Sequence, residues 1–403
     1  LVAAFNPPTD RRVLLTKLDE EVRIDNNAYS LGSNEFKNGI LLKGYEFLSS
    51  FSLNPFPIYK YDVHGVQVEK VLFMPYEKNA VVVAYDVFNP DESEISVHIF
   101  LLVNSRHFHS ITNRDGLSWS FIQEPSEGKV AIRTSVPLSV LLLSACGGQY
   151  FPGNGEWIRG VYFRVDDGRG ESCFDDVFKP GRFEFKVGSE ERKRFHILAV
   201  AGRDGEEAES VFSSISKESE DFAALYDREL RRLQDLLMRF RERYVDVEME
   251  DWLKWLILAA DSFIVNRKSV GKKSVIAGYH WFEDWGRDSL ISLPGLTLVT
   301  GRFEDAKEIL LTFKQYCHKG ILPNRFPDSG GDKPEYNTVD ASLWFFNAVL
   351  QFLKYTGDFE SVRRELWDTL QSIVDWHVKG TMYSIHVDAD GLLAHGSQLT
   401  WMD

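Results

Sequence analysis

Cysteine is scarce in this chain: Cys146, Cys173 and Cys317 are the only three among 403 residues, and no C-x-x-C spacing occurs. That argues against a disulfide framework or a thiolate zinc site and reads as reduced, mostly buried thiols in a cytoplasm. Long apolar runs are missing too. No stretch reaches the length that spans a bilayer, and the opening LVAAFNPPTD lacks the charged and apolar regions of a signal peptide. No N-x-S/T sequon is present. Basic charge is in the minority, with 46 Lys and Arg against 60 Asp and Glu and a formal net charge of -14. No Lys/Arg stripe overrides that charge locally, so phosphate backbones and anionic lipid are repelled, and neither nucleic acid nor membrane is an expected partner.

What remains is an ordinary globular composition with one unusual figure. Aromatic residues make up 13% of the chain, ten of them tryptophan. Flat rings with a polar edge suit the faces of sugars, but core filling is their commoner fate. At this length one hydrophobic core is exceeded, and two domains are expected.

The hydrophobic period changes once along the chain. Up to about residue 200 short β-branched and aromatic runs alternate, as in PIYKYDVHGVQVEKVLFMP (57–75) with its His-Gly turn, AVVVAYDVFNP (80–90) and EISVHIFLLV (94–103). Such runs argue an antiparallel β-sandwich. Residues 209–243 carry Phe222, Leu225, Tyr226, Leu230, Leu233, Leu237 and Phe240 at helical spacing, an amphipathic connector. Helices follow, at 251–265, near 285–299, at 303–317, and near 340–356 and 360–378. In the first of these the stripe Trp252, Trp255, Leu256, Ala259, Ala260, Phe263 and Ile264 is broad enough to be sandwiched between neighbours. A small hairpin is expected about Asp390-Gly391. The expected domains are a β-sandwich over 1–205, a helical connector over 206–245 and a helical array over 246–403 whose loops meet at one end.

Three stretches can carry chemistry. GYHWFEDWGRDSLISLPGL (278–296) sets Glu283, Asp284, Arg287 and Asp288 among Trp281, Phe282 and Trp285 at a helix mouth. It reads either as a capping cluster with an Arg-Asp ion pair, or as a hydroxyl-binding site in which carboxylate and guanidinium take sugar hydroxyls under a ring. Adjacency on a turn points Glu283 and Asp284 apart, so each is assigned to hydroxyl binding or capping. In GILPNRFPDSGGDKPEYNTVDASLWFF (320–346), Asn337 or Thr338 with Asp340 caps a helix or lines a binding loop. TWMD places Asp403 beside Trp401. A carboxyl against an indole has its pKa raised, as a general acid near neutral pH requires, whereas the plain alternative is a solvated terminal residue. His107 and His109, with His98 upstream, share strand spacing, but no third close ligand completes a metal set.

Together, WFEDWGRDSLISLPGLTLVTGRFEDAKEILLTF, GILPNRF, YNTVDASLWFFNAVLQFLKYTGD and QLTWMD resemble the amylo-α-1,6-glucosidase module of bacterial and archaeal glycogen debranching enzymes, and the first half resembles that family's amino-terminal β-domain. The resemblance implies a β-sandwich followed by a partial (α/α)6 toroid of the glucoamylase kind. It further implies inverting hydrolysis of α-1,6-linked glucose at branch points of glycogen limit dextrin, in the cytoplasm, without cofactor or metal. By motif, Asp403 is the general acid, and Trp285, Arg287, Asp288, Asn337, Asp340 and Trp401 line the sugar site. Inversion needs a second carboxylate about 6.5–9.5 Å from the acid. In the family that base lies downstream, so a fragment truncated at both ends, inactive alone, is expected. The alternatives are a glucoamylase-like α-1,4-glucosidase and a non-catalytic glycogen-binding protein; oligomeric state is left open.

Overall fold

A computed structural model of the chain describes residues 1–135, 139–218, 222–326 and 333–401. The chain divides into two compact units, Leu1–Phe5 with Arg11–Leu230, and Asn6–Asp10 with Arg231–Asp403.

In the first unit the alternating segments become two eight-stranded sheets. One runs, edge to edge, Val2–Asn6, Thr9–Ile24, Ile95–His107, Phe174–Val187, Gln149–Tyr162, Asn34–Phe36 and Gly39–Leu41, with Asn27–Ser30 beside Thr9–Ile24. The other runs Phe121–Ser126, Lys129–Thr134, Ser139–Ala145, Arg192–Gly202, Ala80–Phe88, Val66–Phe73, Pro57–Val63 and Leu48–Leu53. The expected His-Gly turn closes a hairpin in which Val63 faces Val66. Both turn residues have positive φ, +53° at His64 and +96° at Gly65, which matches the right-handed twist of the flanking strands. The turn around 91–93 instead hands the chain from one sheet to the other.

Side chains at alternate positions meet between the sheets, with Val97, Ile99, Phe183 and Phe185 from one and Val83, Tyr85, Leu141, Leu143 and Ile197 from the other. Ser139–Ala145 also buries its opposite side, where Val140 and Leu142 pack on Ala208 of the Gly205–Glu218 helix. Val82, Leu198 and Val200 likewise meet Ile215 and Leu225. Strands covered on both faces read as continuous apolar runs, and this accounts for SVLLLSA and AVVVAYDV.

On the outer side of the first sheet His98 sits between cross-strand partners Glu21 and Glu184. Its Nε2 is 3.3 Å from Glu184, its Nδ1 is 3.8 Å from Glu21, and the residue is 3% exposed. Burial holds the imidazole below the ordinary histidine range, against the opposing pull of Glu184. The unfolded chain therefore binds the proton more readily. The stability this group contributes is complete above about pH 6.5 and drains as pH falls through the lower folded-state value. Between pH 7 and pH 5 the melting temperature of the wild type is expected to fall further than that of His98→Gln, and equal falls in a calorimetric scan would refute this.

The second unit is helical, apart from two small hairpins. Its helices are Asp251–Phe263, Gly286–Leu293, Phe303–Gln315, Asp340–Thr356 and Trp367–Lys379, preceded by Phe222–Arg243 from the boundary. Leu290, Leu293, Ile309, Leu310, Phe313, Phe345, Phe352 and Ile373 share one core. The hairpin about Asp390-Gly391 is present, with His386 facing Ala394. The expected sandwiched stripe is corrected in part: Trp252 is 59% and Leu256 58% exposed, and Trp255 and Ala259 are exposed as well, whereas Ala260 and Ile264 are buried and Phe263 is half-buried. Within the Asp251–Phe263 helix the buried residues are Ile257, Ala260 and Asp261, and the Asp261 carboxylate receives Nη1 of both Arg232 and Arg302, each at 2.6 Å. Other apolar side chains open to solvent are Ile291, Leu343, Leu350, Trp367, Val374 and Val378.

The expectation of mostly buried thiols is also corrected, since only Cys173 is buried; Cys146 is exposed and Cys317 half-buried. Burial still pushes the Cys317 thiol up to about 11, too high for a reactive thiolate. Among the described residues no helix is long and apolar enough to cross a membrane, and no group of three or more His, Cys, Asp and Glu could hold a metal ion. His107 and His109 stack on each other at 5.7 Å between ring centres.

Candidate active site

The loops of the second unit are stitched by backbone hydrogen bonds. Trp285 bridges to Arg325, and Arg325 in turn to Glu335. The Gly286 N–H donates to the Asn324 carbonyl at 2.8 Å, and the Asn324 N–H to the Glu335 carbonyl at 2.7 Å. A Cβ at position 286 would lie 2.1 Å from the Pro323 carbonyl oxygen, so this close approach admits only glycine. Further along, the Val339 N–H donates to the Leu399 carbonyl at 2.9 Å, and Leu399 is buried with Ile321, Val339 and Ile385. The stretches 278–296 and 320–346, and the chain as far as Leu399, are thus joined at the starts of two helices.

Two helices begin there, Gly286–Leu293 and Asp340–Thr356. Their first residues meet: Arg287 Nε donates to Asp340 Oδ2 at 2.7 Å and Nη2 donates to Oδ1 at 3.1 Å, a two-point fork. Thr338 Oγ1 donates to Oδ1 as well, at 2.7 Å. Capping contributes little here, since neither Trp285 nor Val339 makes a side-chain cap, and the Ala341 N–H reaches Thr338 Oγ1 only at 3.4 Å. Arg287 is 9% exposed and the Asp340 carboxylate 19%, so the pair is mostly desolvated yet reachable from one side. Asp288, in the same first turn as Arg287, is exposed.

Trp285 and Asn337 are half-buried beside this pair in sequence. Trp285 Nε1 and Asn337 Oδ1 are fully covered and have no hydrogen-bond partner among the described residues. Trp401 is 75% exposed. Asp403 lies outside the described residues, four positions beyond the anchored Leu399.

Asp284 departs from expectation. It was assigned to hydroxyl binding or capping, but it is 0% exposed and takes Arg267 Nη1 on both oxygens, at 2.8 and 2.7 Å, with Ser274 Oγ on Oδ2 at 2.7 Å. Burial pushes its carboxyl above the ordinary range, against the pull of Arg267 and Ser274. No ligand reaches such a group. Arg267 was missed altogether; nothing in FIVNRKSV sets it apart from the exposed Lys268 beside it.

Comparison with known proteins bears on this arrangement. Residues 1–194 match the family model described as glycogen debranching enzyme N terminal, and residues 258–403 match the one described as amylo-alpha-1,6-glucosidase. The chain belongs to the glycogen debranching enzyme family. Both family segments occur in the order the motifs implied, and WFEDWGRD, YNTVDA and TWMD all fall inside the second. The glycogen debranching enzyme of Saccharomyces cerevisiae is 30% identical over a segment covering 30% of this chain and 11% of that protein. Among solved structures, a bacterial glucoamylase complexed with acarbose has a TM-score of 0.47 at 12% identity, covering 93% of this chain and 54% of the other. An inverting mannosidase of glycoside hydrolase family 92 from Bacteroides thetaiotaomicron has a TM-score of 0.40 at 12% identity, covering 88% and 46%. The chain therefore spans about a tenth of the yeast relative and about half of the glucoamylase.

Proposed function

We propose that this chain supplies the glucose-binding side of the active site of an inverting glycoside hydrolase, one that releases α-1,6-linked glucose at branch points of glycogen limit dextrin. The observation that carries the reading is the Arg287–Asp340 fork at two adjoining helix mouths, contributed by the WGRD and YNTVDA motifs. A neutral sugar offers hydroxyls that both donate and accept. A carboxylate and a guanidinium held side by side meet both needs, and the exposed Asp288 adds a further acceptor at the mouth. Trp285 and Asn337 line the same loops, and Trp401 supplies a flat apolar face.

In this reading Asp403 protonates the glycosidic oxygen as general acid, and a second carboxylate, assigned to none of these residues, activates the water on the opposite face of the sugar. Two carboxylates and water need no metal or cofactor. The partner is glycogen or a branched α-glucan oligosaccharide, the (α/α)6 toroid is the scaffold, and the cytoplasm, where free thiols persist, is the compartment.

The test is glucose release by the product of the complete reading frame from a panose-like branched oligosaccharide and from maltose. Faster release from the α-1,6 bond is expected. Faster release from maltose would replace the debranching reading with a glucoamylase-like one, and binding without release from either would leave a glucan-binding protein.

A further inference from the structure

We infer that Arg267 and Asp284 are a positioning pair: buried away from any ligand, they hold the turn that aims Arg287 at Asp340. This rests on the proposed reading of the Arg287–Asp340 fork as the ligand contact.

Asp284 gathers three segments. Its side chain takes two bonds from Arg267 Nη1 and one from Ser274, on the two strands Ile264–Arg267 and Lys272–Val275 of a hairpin. Its carbonyl receives the Phe326 N–H at 3.2 Å, and its backbone bridges to Ile276. The Arg267 guanidinium lies 4.1 Å from the centre of the Phe326 ring, which closes the assembly on its third side. Ser289 Oγ adds a weaker tie from the Gly286–Leu293 helix to the Val275 carbonyl, at 3.3 Å. Arg287 stands three residues beyond this hub, across Gly286, whose N–H is itself fixed on Asn324.

A buried ion pair gives little net stability over an apolar replacement of the same shape, because desolvation offsets its attraction. It does impose direction. Nη1 shared between both carboxylate oxygens, with Ser274 Oγ held on Oδ2, ties the turn to both strands of the hairpin and restricts its placement more than apolar packing would. The pair therefore acts on the placement of the Arg287 guanidinium, where a misplacement of about 1 Å is enough to impair a binding site.

The test compares wild type and Asp284→Asn in the product of the complete reading frame, at a temperature where both are folded. The first readout is solvent exchange of the Arg287 Nε proton by nitrogen-15 NMR, which is slow while the fork to Asp340 is closed. The second is the division of any loss between KM and kcat on a branched glucan. Asp284→Asn is expected to speed that exchange and to raise KM about tenfold each, with kcat within about threefold of wild type. Asp175→Asn serves as control: it breaks a comparably buried pair with Arg106 in the first unit and is expected to leave both readouts unchanged. A lowered melting temperature with wild-type Arg287 exchange would overturn the inference and leave a merely stabilising pair. If the wild type releases no glucose, the functional reading falls, and the exchange measurement still decides. Should Asp284→Asn fail to fold, Ser274→Ala removes a single donor and is expected to move the exchange in the same direction; no movement would overturn the inference.

Discussion

Hydrolysis of a branched glucan by Asp403→Asn is expected to run about a thousandfold slower than by the wild type, in the middle of the range that general acid catalysis contributes. The amide cannot give up a proton to the leaving oxygen but keeps the shape of the side chain, so glucan affinity is expected to stay within about threefold of wild type. A substrate whose leaving group needs no proton, such as α-glucosyl fluoride, separates the role from general disruption. Its turnover is expected to survive the change, because only the protonation step has been removed. An unaltered rate on the branched glucan would take Asp403 out of the mechanism.

The second large effect concerns the Arg287–Asp340 fork. Arg287→Met leaves a carboxylate that is 19% exposed without its principal cation, with Thr338 Oγ1 still donating to it. Truncating one partner of such a pair costs roughly 2–5 kcal/mol, much of it from the charge left behind. With the sugar bound at this fork, as proposed, a loss of about 3 kcal/mol is expected to appear as about a hundredfold in kcat/KM. Asp340→Asn is expected to lose a similar amount, and the double variant less than the sum, since the two side chains act as one unit. Strictly additive losses would mean that the two residues bind independently.

Much of this is legible in the sequence. Period-two runs became strands, and the apolar spacing of FEDAKEILLTFKQ and DASLWFFNAVLQFLKYT became helices over Phe303–Gln315 and Asp340–Thr356, since one buried face leaves an unambiguous period. The failures share a cause. For the Asp251–Phe263 helix the stripe predicted to be sandwiched is buried only at Ala260 and Ile264, and the buried side also takes in Asp261, whose two guanidinium partners lie 29 and 41 residues away in sequence. Asp284, assigned to hydroxyl binding or capping from its place on the turn, is instead fully buried, and its burial depends on Arg267, 17 residues upstream across a hairpin. Local pattern reports which residues avoid water; it does not report which distant cation will accompany a carboxylate inward. The fork of Arg287 with Asp340 was within reach because both lie at predicted helix starts. That they face each other follows only from the backbone stitching of the loops between.

Strands with two covered faces also differ from their neighbours in how many substitutions their packing admits. In Ser139–Ala145, Leu141 and Leu143 must satisfy the space between the sheets while Val140 and Leu142 satisfy the helix behind, so every position but the half-buried Ser144 lies in a packed environment. At the sheet edge, all six residues of Leu48–Leu53 are exposed and answer to few constraints. Packing therefore constrains substitution more tightly in the centre of that sheet than at this rim.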